Sequence, residues 1–281
     1  MNTQQLDHTY IANTYARYPV TIVRGKGSLV WDENGKEYID LATGIAVNSF
    51  GVSDPAWVRA VTEQLCTVQH TSNLYFTAPD AQLAQLLCEK TGMKKVFFSN
   101  SGAEANECAI KLARLYSKKM GGGGQTIITM DRSFHGRTLA TLAATAQPAK
   151  QEAFQPLPGG FMHVPMNDLN ALHQAVYNNL ADVCAVMIEP VQGEAGVYPW
   201  DPDTLYDVAQ FCRKNGLLLI VDEVQSGIFR CGEFPFAFQN LGITPDIITM
   251  AKGIASGFPM GACAARIEVA EAFEPGDHGA T

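Results

Sequence analysis

Five short apolar segments, each followed by a polar or charged residue, constrain the fold of this chain more than any other feature. We predict them as strands at 95–99, 126–130, 183–188, 217–221 and 247–250. Helical periodicity lies between most of them, for instance in GAEANECAIKLARLYSKK and DPDTLYDVAQFCRKNG. Strands that are apolar on both faces and separated by helices are typical of a mostly parallel sheet with helices on both sides. The sequence therefore predicts an α/β fold.

The N-terminal 50 residues follow a different pattern. We interpret them as an irregular arm and a hairpin, because in GSLVWDENGKEYIDL two β-prone runs flank Asn34-Gly35, a dipeptide that tolerates a tight turn. We accordingly divide the chain into an arm and hairpin at 1–50 and a large domain at 51–281. The glycine run at 121–124 is predicted to be a flexible connection, since it follows a helix and precedes a strand, the wrong order for a phosphate loop.

Composition excludes several classes of partner. The 281 residues are 47% hydrophobic and 17% charged with a net charge of −8, which describes a compact acidic protein without a basic surface for nucleic acid or membrane. The first residues do not resemble a signal peptide, and no apolar run is long enough to cross a bilayer, so we expect a cytoplasmic protein. Seven widely spaced cysteines argue against a disulfide framework or a metal site and favour small buried hydrophobic residues.

The residues at the ends of the strands indicate where a ligand would bind. In an open parallel sheet, ligands bind beyond the carboxyl ends of the strands. The predicted strands run into Asn100, Asp131, Glu189, Asp222 and Lys252. One polar strand end means little, but five at one edge of a sheet predict an active site.

Two interpretations stay open at these strand ends. Ser101, Gly102 and Ala103 open a helix and present backbone N–H groups that suit a phosphate, while Ser101 can equally cap the helix in a box with Glu104. Asp222 follows five apolar residues and needs a cationic partner. Lys252 is either a reactive amine or the plain ion-pair partner of that carboxylate.

Five blocks in order, SNSGAEANECAIKLAR, SFHGRT, IEPVQGEAGV, IVDEVQSG and MAKGI, resemble the class III (ω-amino) aminotransferases, which use pyridoxal 5'-phosphate. The resemblance covers the whole chain. It implies the large domain of a fold type I pyridoxal-phosphate transferase and a homodimer with shared active sites. No metal is implied.

The resemblance also implies roles for residues around the cofactor. Lys252 would carry it covalently and then move the proton of the substrate carbon, and Asp222 would pair with the ring nitrogen. Phe134 would stack on the ring and Gln225 would reach its hydroxyl group. The phosphate would be held by Ser101, Gly102 and Ala103 and, from the neighbouring subunit, by Thr281.

Two further residues would bind the substrates. Arg137 would grip a substrate carboxylate through its two-pronged guanidinium group. Glu194 would act as a switch that, in similar enzymes, pairs with a C-terminal arginine and releases it for the α-carboxylate of glutamate. Glu189 is expected to support the cofactor site.

The substrate is expected from the opening segment 13–48, which is most similar to family members that act on N-acetylornithine. Ile45 stands where ornithine-specific members carry a tyrosine, which also favours an N-blocked ornithine. We expect amino transfer to 2-oxoglutarate in arginine biosynthesis, with succinylornithine or 4-aminobutyrate as the alternative donor. Family members continue past Thr281 into a small C-terminal domain, which we expect to be absent here. A catalytically silent remnant that keeps the fold is therefore the second alternative.

Overall fold

The computed structural model describes residues 1–280. By backbone contacts the chain divides into two compact units, one from Met1 to His70 and one from Thr71 onward. The division at residue 50 that we draw from the sequence stays a prediction.

The first unit contains the predicted hairpin. Its elements are α1 (Thr3–Tyr10), β1 (Ile22–Lys26), β2 (Leu29–Asp32), β3 (Glu37–Ile39), α2 (Thr43–Ala46) and α3 (Pro55–Thr67). Strands β2 and β3 pair antiparallel across a turn in which Gly35 has a φ of 80°, a conformation that glycine adopts without strain. The arm is more regular than predicted, because it contains α1 and the strand β1, which pairs with β2. Asp54 caps α3 by accepting the N–H groups of Ala56 and Trp57.

The second unit alternates helices and strands along the chain. Its first half contains α4 (Ala78–Thr91), β4 (Lys95–Ser99), α5 (Gly102–Lys119), β5 (Thr126–Met130), α6 (Leu139–Ala144), α7 (Pro148–Gln151), β6 (Phe161–Val164) and α8 (Leu169–Asn178). Its second half contains β7 (Val183–Ile188), β8 (Val191–Gln192), β9 (Tyr198–Pro199), α9 (Pro202–Lys214), β10 (Leu218–Asp222), α10 (Ala237–Asn240), β11 (Ile247–Met250), β12 (Gly261–Ala265) and α11 (Ile267–Ala270). Short 3-10 turns lie at Glu152–Phe154 and Lys252–Ile254.

Seven strands form one sheet in the order β4-β12-β11-β10-β7-β5-β6. Only β12 runs antiparallel to its neighbours, so the prediction of a mostly parallel sheet is confirmed. Four of the five predicted strands have the predicted bounds, and β10 begins and ends one residue later. Strands β6 and β12 were not predicted. The glycine run at 121–124 connects α5 to β5, as predicted.

The hydrophobic core lies on both faces of this sheet. Along β10, Leu219 and Val221 pack into one apolar cluster, while Leu218 and Ile220 pack into the cluster on the opposite face. Helices α8 and α9 contribute to the first cluster and α5 to the second. Burial on both faces explains why these strands appear in the sequence as continuous apolar runs.

The seven cysteines are all free thiols. Four are buried (Cys108, Cys184, Cys212 and Cys263), whereas Cys66 and Cys231 are exposed, so the prediction of small buried hydrophobic residues applies to part of the set. Among residues 1–280, no helix combines the length and the apolar character that a bilayer crossing requires.

Candidate active site

Asp222 lies at the end of β10, buried among groups that donate hydrogen bonds to its carboxylate. Oδ2 accepts from Asn106 Nδ2 at 2.7 Å and lies 2.8 Å from His135 Nδ1, while Oδ1 accepts from the Val224 N–H at 3.0 Å. Asn106 Nδ2 also donates to the His135 carbonyl at 2.7 Å. The side chain of Asp222 is therefore held in one orientation by α5, by the loop after β5 and by its own following turn.

His135 is the buried partner of Asp222 that can carry the compensating positive charge. Burial disfavours the charged imidazole, but the hydrogen bond and the charge of Asp222 outweigh that effect and raise the pKa of His135 above its ordinary value. In the ion pairs of the described residues, Asp222 is joined to His135 at 2.8 Å and not to Lys252. The direct ion pair between Asp222 and Lys252 is therefore not among those formed by residues 1–280, and the reactive-amine interpretation of Lys252 stays a prediction.

Lys252 follows β11 directly and is half-buried at the same edge of the sheet. Its φ of 46° lies in the left-handed region, which costs free energy for a lysine and is typical of functional sites. Burial lowers the pKa of Lys252, and the carboxylates of Asp222, Glu194 and Glu189 only partly oppose this. A lowered pKa increases the fraction of neutral amine, the form that is both nucleophile and base.

The start of α5 has free backbone N–H groups where the sequence predicts a phosphate site. Ser101 Oγ accepts from the Glu104 N–H at 3.2 Å, so its capping role is confirmed, but the Glu104 carboxylate accepts from the Asn100 N–H and the Ser101 hydroxyl and does not complete the predicted box. Gly102 and Ala103 occupy the first turn, where the helix offers their N–H groups no carbonyl acceptor. A Cβ at Gly102 would lie 2.8 Å from Val224 Cγ1, so the first turn packs tightly against the segment that follows Asp222.

Glu189 supports the loop that carries Phe134. The Phe134 N–H donates to Glu189 Oε2 at 3.0 Å, and Trp200 Nε1 donates to the Glu189 carbonyl at 2.9 Å. Burial raises the pKa of Glu189 to about 7. The carboxyl group therefore positions the backbone of Phe134 from the end of β7, and the aromatic ring itself stays half-buried.

The side chain of Gln225 lies against Gly193, in the turn after β8. A Cβ added to Gly193 would overlap the side-chain amide of Gln225, including its Oε1. The glycine is therefore required by this close approach, which the sequence alone does not reveal.

Arg137 lies near the Phe134 ring, and the ion pairs found within residues 1–280 do not join it to Glu194. The guanidinium carbon of Arg137 is 5.7 Å from the ring centroid. Glu194 Oε1 instead lies 3.5 Å from Nζ of Lys150, whose ammonium group is 5.5 Å from the same centroid.

Sequence reasoning assigned no role to Asn106, His135 or Lys150. Asn106 had a signal, because it is a polar residue on the otherwise apolar face of α5. His135 stands inside the recognised SFHGRT block. Lys150 had no signal in the sequence. Thr281, the predicted phosphate ligand of the neighbouring subunit, lies outside the described residues.

These residues fit pyridoxal phosphate. A half-buried amine at Lys252, a fixed carboxylate at Asp222 and a helix start at Gly102 meet at one edge of the sheet, matching the aldehyde, the basic ring nitrogen and the phosphate of this cofactor. Lys252 and Gly102 are brought together across the sheet, since a Cβ at Gly102 would lie 3.4 Å from Cβ of Ala251.

Comparison with known proteins agrees with this geometry. The family described as aminotransferase class-III matches residues 10–281. The chain is 50% identical to the acetylornithine aminotransferase of Methanopyrus kandleri over 283 residues, covering all of this chain and 70% of the relative.

Two solved structures are also similar. The N-acetylornithine aminotransferase of Stenotrophomonas maltophilia superimposes with a TM-score of 0.81 at 38% identity, covering 96% of this chain and 66% of the other. An ornithine aminotransferase structure from Toxoplasma gondii, described with partial occupancy of pyridoxal phosphate at its active site, gives a TM-score of 0.92 at 32% identity, covering 99% of this chain and 66% of the other. The chain thus spans about two thirds of the length of these solved proteins.

Proposed function

This chain belongs to the class III aminotransferases, and on that premise we propose that it transfers the terminal amino group of N-acetylornithine to 2-oxoglutarate. The expected products are N-acetylglutamate semialdehyde and glutamate. Support for the donor comes from curated relatives at 48 to 50% identity, among them those of Methanopyrus kandleri and Methanocaldococcus jannaschii, which are acetylornithine aminotransferases. The family resemblance and the fold prediction are both confirmed.

The observation that carries this proposal is the meeting of Lys252 and Asp222 at one edge of the sheet. When bound, pyridoxal phosphate supplies an aldehyde for the amine and a ring that accepts electrons. Asp222, oriented by Asn106 and His135, would hold the protonated ring nitrogen. Three groups contact its buried carboxylate, Asn106, the Val224 N–H and His135, and His135 is also the group that can supply a compensating positive charge.

Lys252 would act as the base. Its lowered pKa leaves more of Nζ neutral near pH 7. The neutral amine could then take a proton from the substrate carbon and deliver it to a carbon of the cofactor. Its position beside Asp222, Glu189 and Glu194 keeps the protonated form accessible as well. A single amine would thus both hold the cofactor and move the proton.

The remaining residues would bind and orient. The N–H groups of Gly102 and Ala103, with the Ser101 cap, would hold the phosphate at the positive end of the α5 dipole. Phe134 would cover the ring, and Gln225 would approach its hydroxyl group. Arg137 would bind a substrate carboxylate with two parallel hydrogen bonds. Glu194 would act as the switch that the family resemblance implies: it would pair with an arginine while the amino donor is bound and release that arginine for the α-carboxylate of glutamate.

We also propose an oligomeric state, a location and a pathway for the protein. A homodimer in which Thr281 of one subunit reaches the phosphate of the other follows from the family resemblance, as do a cytoplasmic location and a place in arginine biosynthesis. The oligomeric state is measurable by sedimentation of the protein with its cofactor. A dimer is the expected result.

The proposed activity is tested by a paired assay of N-acetylornithine, ornithine and 4-aminobutyrate with 2-oxoglutarate. We expect kcat/KM for N-acetylornithine to exceed that for the other two donors. A preference for 4-aminobutyrate or for succinylornithine, added as a fourth donor, would reassign the substrate within the family. Visible absorbance of bound cofactor without turnover of any donor would support the silent remnant.

A further inference from the structure

Two of the buried cysteines, Cys108 and Cys263, lie together on the face of the sheet that α5 covers. Cys108 belongs to α5, and Cys263 belongs to β12, the antiparallel strand between β4 and β11. Their thiol groups form a hydrogen bond with each other. Neither residue takes part in the function proposed above. Two adjacent thiols are the arrangement from which a disulfide can form.

The sulfur of Cys108 has a second partner, the imidazole of His278. Nζ of Lys111 lies 2.9 Å from Nδ1 of that ring and also donates to the Asp277 carbonyl at 2.8 Å. Because an ammonium group can only donate, Nδ1 of His278 is the acceptor of this hydrogen bond. The neutral ring then carries its proton on Nε2, from which it can be donated to the sulfur.

These contacts make Cys108 the more acidic thiol of the pair. The hydrogen bond from Cys263 lowers the pKa of Cys108, burial opposes this change, and His278 and Lys111 reinforce it. The same hydrogen bond and burial raise the pKa of Cys263, which therefore keeps its proton. Since the thiolate is the nucleophilic form of cysteine, Cys108 is the nucleophile and Cys263 its protonated neighbour.

Both cysteines line a cavity of about 300 Å³ beside β4 and α5. Its walls are mainly apolar and include Phe97 and Phe273, whose ring centroids lie 4.7 and 5.7 Å from that of His278. The exposed residue Lys95 also lines the cavity, which therefore opens to water. A small oxidant can thus reach the sulfur of Cys108, although only 1% of that residue is exposed.

A metal site is the alternative interpretation of two cysteines beside a histidine. A structural zinc ion takes four ligands of the Cys, His, Asp or Glu type. Within residues 1–280, no group of three or more such side chains is placed to hold a metal ion. The geometry therefore favours thiol chemistry.

We propose that Cys108 and Cys263 form a modification site for small hydroperoxides, in which Cys108 is the attacking thiol and Cys263 the resolving thiol. With hydrogen peroxide, the sulfur of Cys108 bonds to one oxygen and the O–O bond breaks. The leaving hydroxide takes up the proton that Cys108 gave up and becomes water. The sulfur of Cys263 then bonds to that of Cys108, and the hydroxyl group leaves as a second water with the proton of Cys263. Two thiols are oxidised to one disulfide, and the peroxide is reduced to water.

Oxidation of the cofactor-loaded protein by an equimolar amount of hydrogen peroxide tests the proposal. After the remaining thiols are alkylated in denaturant, peptide mapping without reduction should recover a disulfide between the Cys108 and Cys263 peptides. Cys66→Ala removes an exposed thiol and is the matched control, which should leave the rate and yield of this disulfide unchanged. Oxidation confined to Cys66 or Cys231, with Cys108 and Cys263 still alkylated, would overturn the proposal.

Single substitutions separate the roles of the two thiols. In Cys263→Ala the oxidation of Cys108 should stop at the sulfenic acid, which dimedone traps on the Cys108 peptide. In Cys108→Ala the protonated thiol of Cys263 should take up at least tenfold less dimedone in the same time. Equal labelling of the two variants, or a Cys108 sulfinic acid without any disulfide in the unaltered protein, would contradict the assignment.

The role of His278 is measured as the rate of disulfide formation. His278→Gln should slow the reaction about tenfold, because the sulfur of Cys108 loses a hydrogen-bond donor. Lys111→Gln should also slow it, whereas Lys118→Gln, which alters another exposed lysine of α5, should not. A rate in His278→Gln equal to that of the unaltered protein would refute the activation of Cys108. None of these measurements uses turnover, so their outcome does not depend on the proposed function.

Discussion

Nδ1 of His135 lies 2.8 Å from Oδ2 of Asp222, and both residues are less than 5% exposed. A buried pair of this kind is weak evidence for stability, because removing two charges from water costs about as much as their attraction returns. On the function proposed above, His135 places positive charge beside the carboxylate of Asp222, which would hold the ring nitrogen.

Asp222→Asn should preserve the shape of the side chain and abolish most of the chemistry. The single amide oxygen of the variant can accept from the Val224 N–H or from Asn106, but not from both, because these donors bind different oxygens of Asp222. The proposed phosphate site at the start of α5 and the amine of Lys252 are unaltered, so pyridoxal phosphate should remain bound. Proton abstraction should slow by several powers of ten, each about 1.4 kcal/mol of barrier, because the ring nitrogen loses its counter-charge. Single-turnover absorbance with N-acetylornithine measures this rate. An almost unchanged rate would remove Asp222 from the mechanism.

Glu189 should make the protein less stable as the pH rises. Its pKa is raised by burial from an ordinary 4.5 to about 7, so the protonated carboxyl stabilises the folded state fully below about pH 4.5, and that contribution is lost as pH rises through 7. Two to three pKa units correspond to about 3 kcal/mol.

The effect of Glu189 on stability is measured as the difference in the free energy of unfolding between a variant and the unaltered protein. The free energy of unfolding of Glu189→Gln, relative to the unaltered protein, should rise between pH 5 and pH 8, because glutamine has no charge to bury and its amide oxygen can still accept the Phe134 N–H. Glu233→Gln, an exposed residue, should show a flat difference and serves as the control. A flat profile for Glu189→Gln would contradict the raised pKa.

The sequence predicts the parallel strands well and the small-residue strand poorly. Strands β5 and β7 are buried on both faces and consist of apolar residues, so their bounds are visible as runs. Strand β12 has the sequence GACAA, whose glycine and alanines have little preference for strands, and its partners are distant in the chain. Strand β6 is an edge strand of four residues and has only weak alternation.

In the candidate active site, too, residues at the ends of strands could be predicted from the sequence, whereas contacts made by helices could not. Asp222 and Lys252 could be predicted because the carboxyl ends of parallel strands meet at one edge. The contacts of Asn106 and Lys150 could not be predicted, since they depend on how α5 and α7 pack against loops far away in sequence. Tertiary packing of this kind has no local pattern.

Lys252 should be the lysine that borohydride fixes to the cofactor. Its amine is half-buried, has a lowered pKa and follows β11 at the ligand edge. Reduction in the presence of pyridoxal phosphate, followed by peptide mapping, should label the peptide that contains Lys252. Lys252→Ala should bind the cofactor more weakly and take up no label, while Lys118→Ala should be labelled as in the unaltered protein. Label on another lysine would show that the assignment is wrong.

Arg137→Lys should weaken the binding of both substrates and leave the binding of pyridoxal phosphate unchanged. Lysine keeps the positive charge but loses the two parallel donors that match a carboxylate, so KM for N-acetylornithine and for 2-oxoglutarate should each rise about tenfold. Arg213→Lys on α9 is a control that should leave both KM values in place. If pyridoxal phosphate affinity alone falls, Arg137 has a structural role near Phe134 and does not bind the substrate.

Gly193→Ala should displace the Gln225 side chain from its position beside residue 193, and so from the ring hydroxyl that we propose it contacts. A Cβ at residue 193 would overlap the Gln225 amide, so the side chain must leave its position or the turn after β8 must shift. Losing one hydrogen bond to the ring hydroxyl should lower pyridoxal phosphate affinity about fivefold to tenfold in a fluorescence titration, and the overlap should reduce stability by about 1 kcal/mol. Gly159→Ala is the matched control, because a Cβ there would meet no atom within 4 Å. Reduced stability with unchanged cofactor affinity would show that Gln225 fills space beside Gly193 without holding the ring.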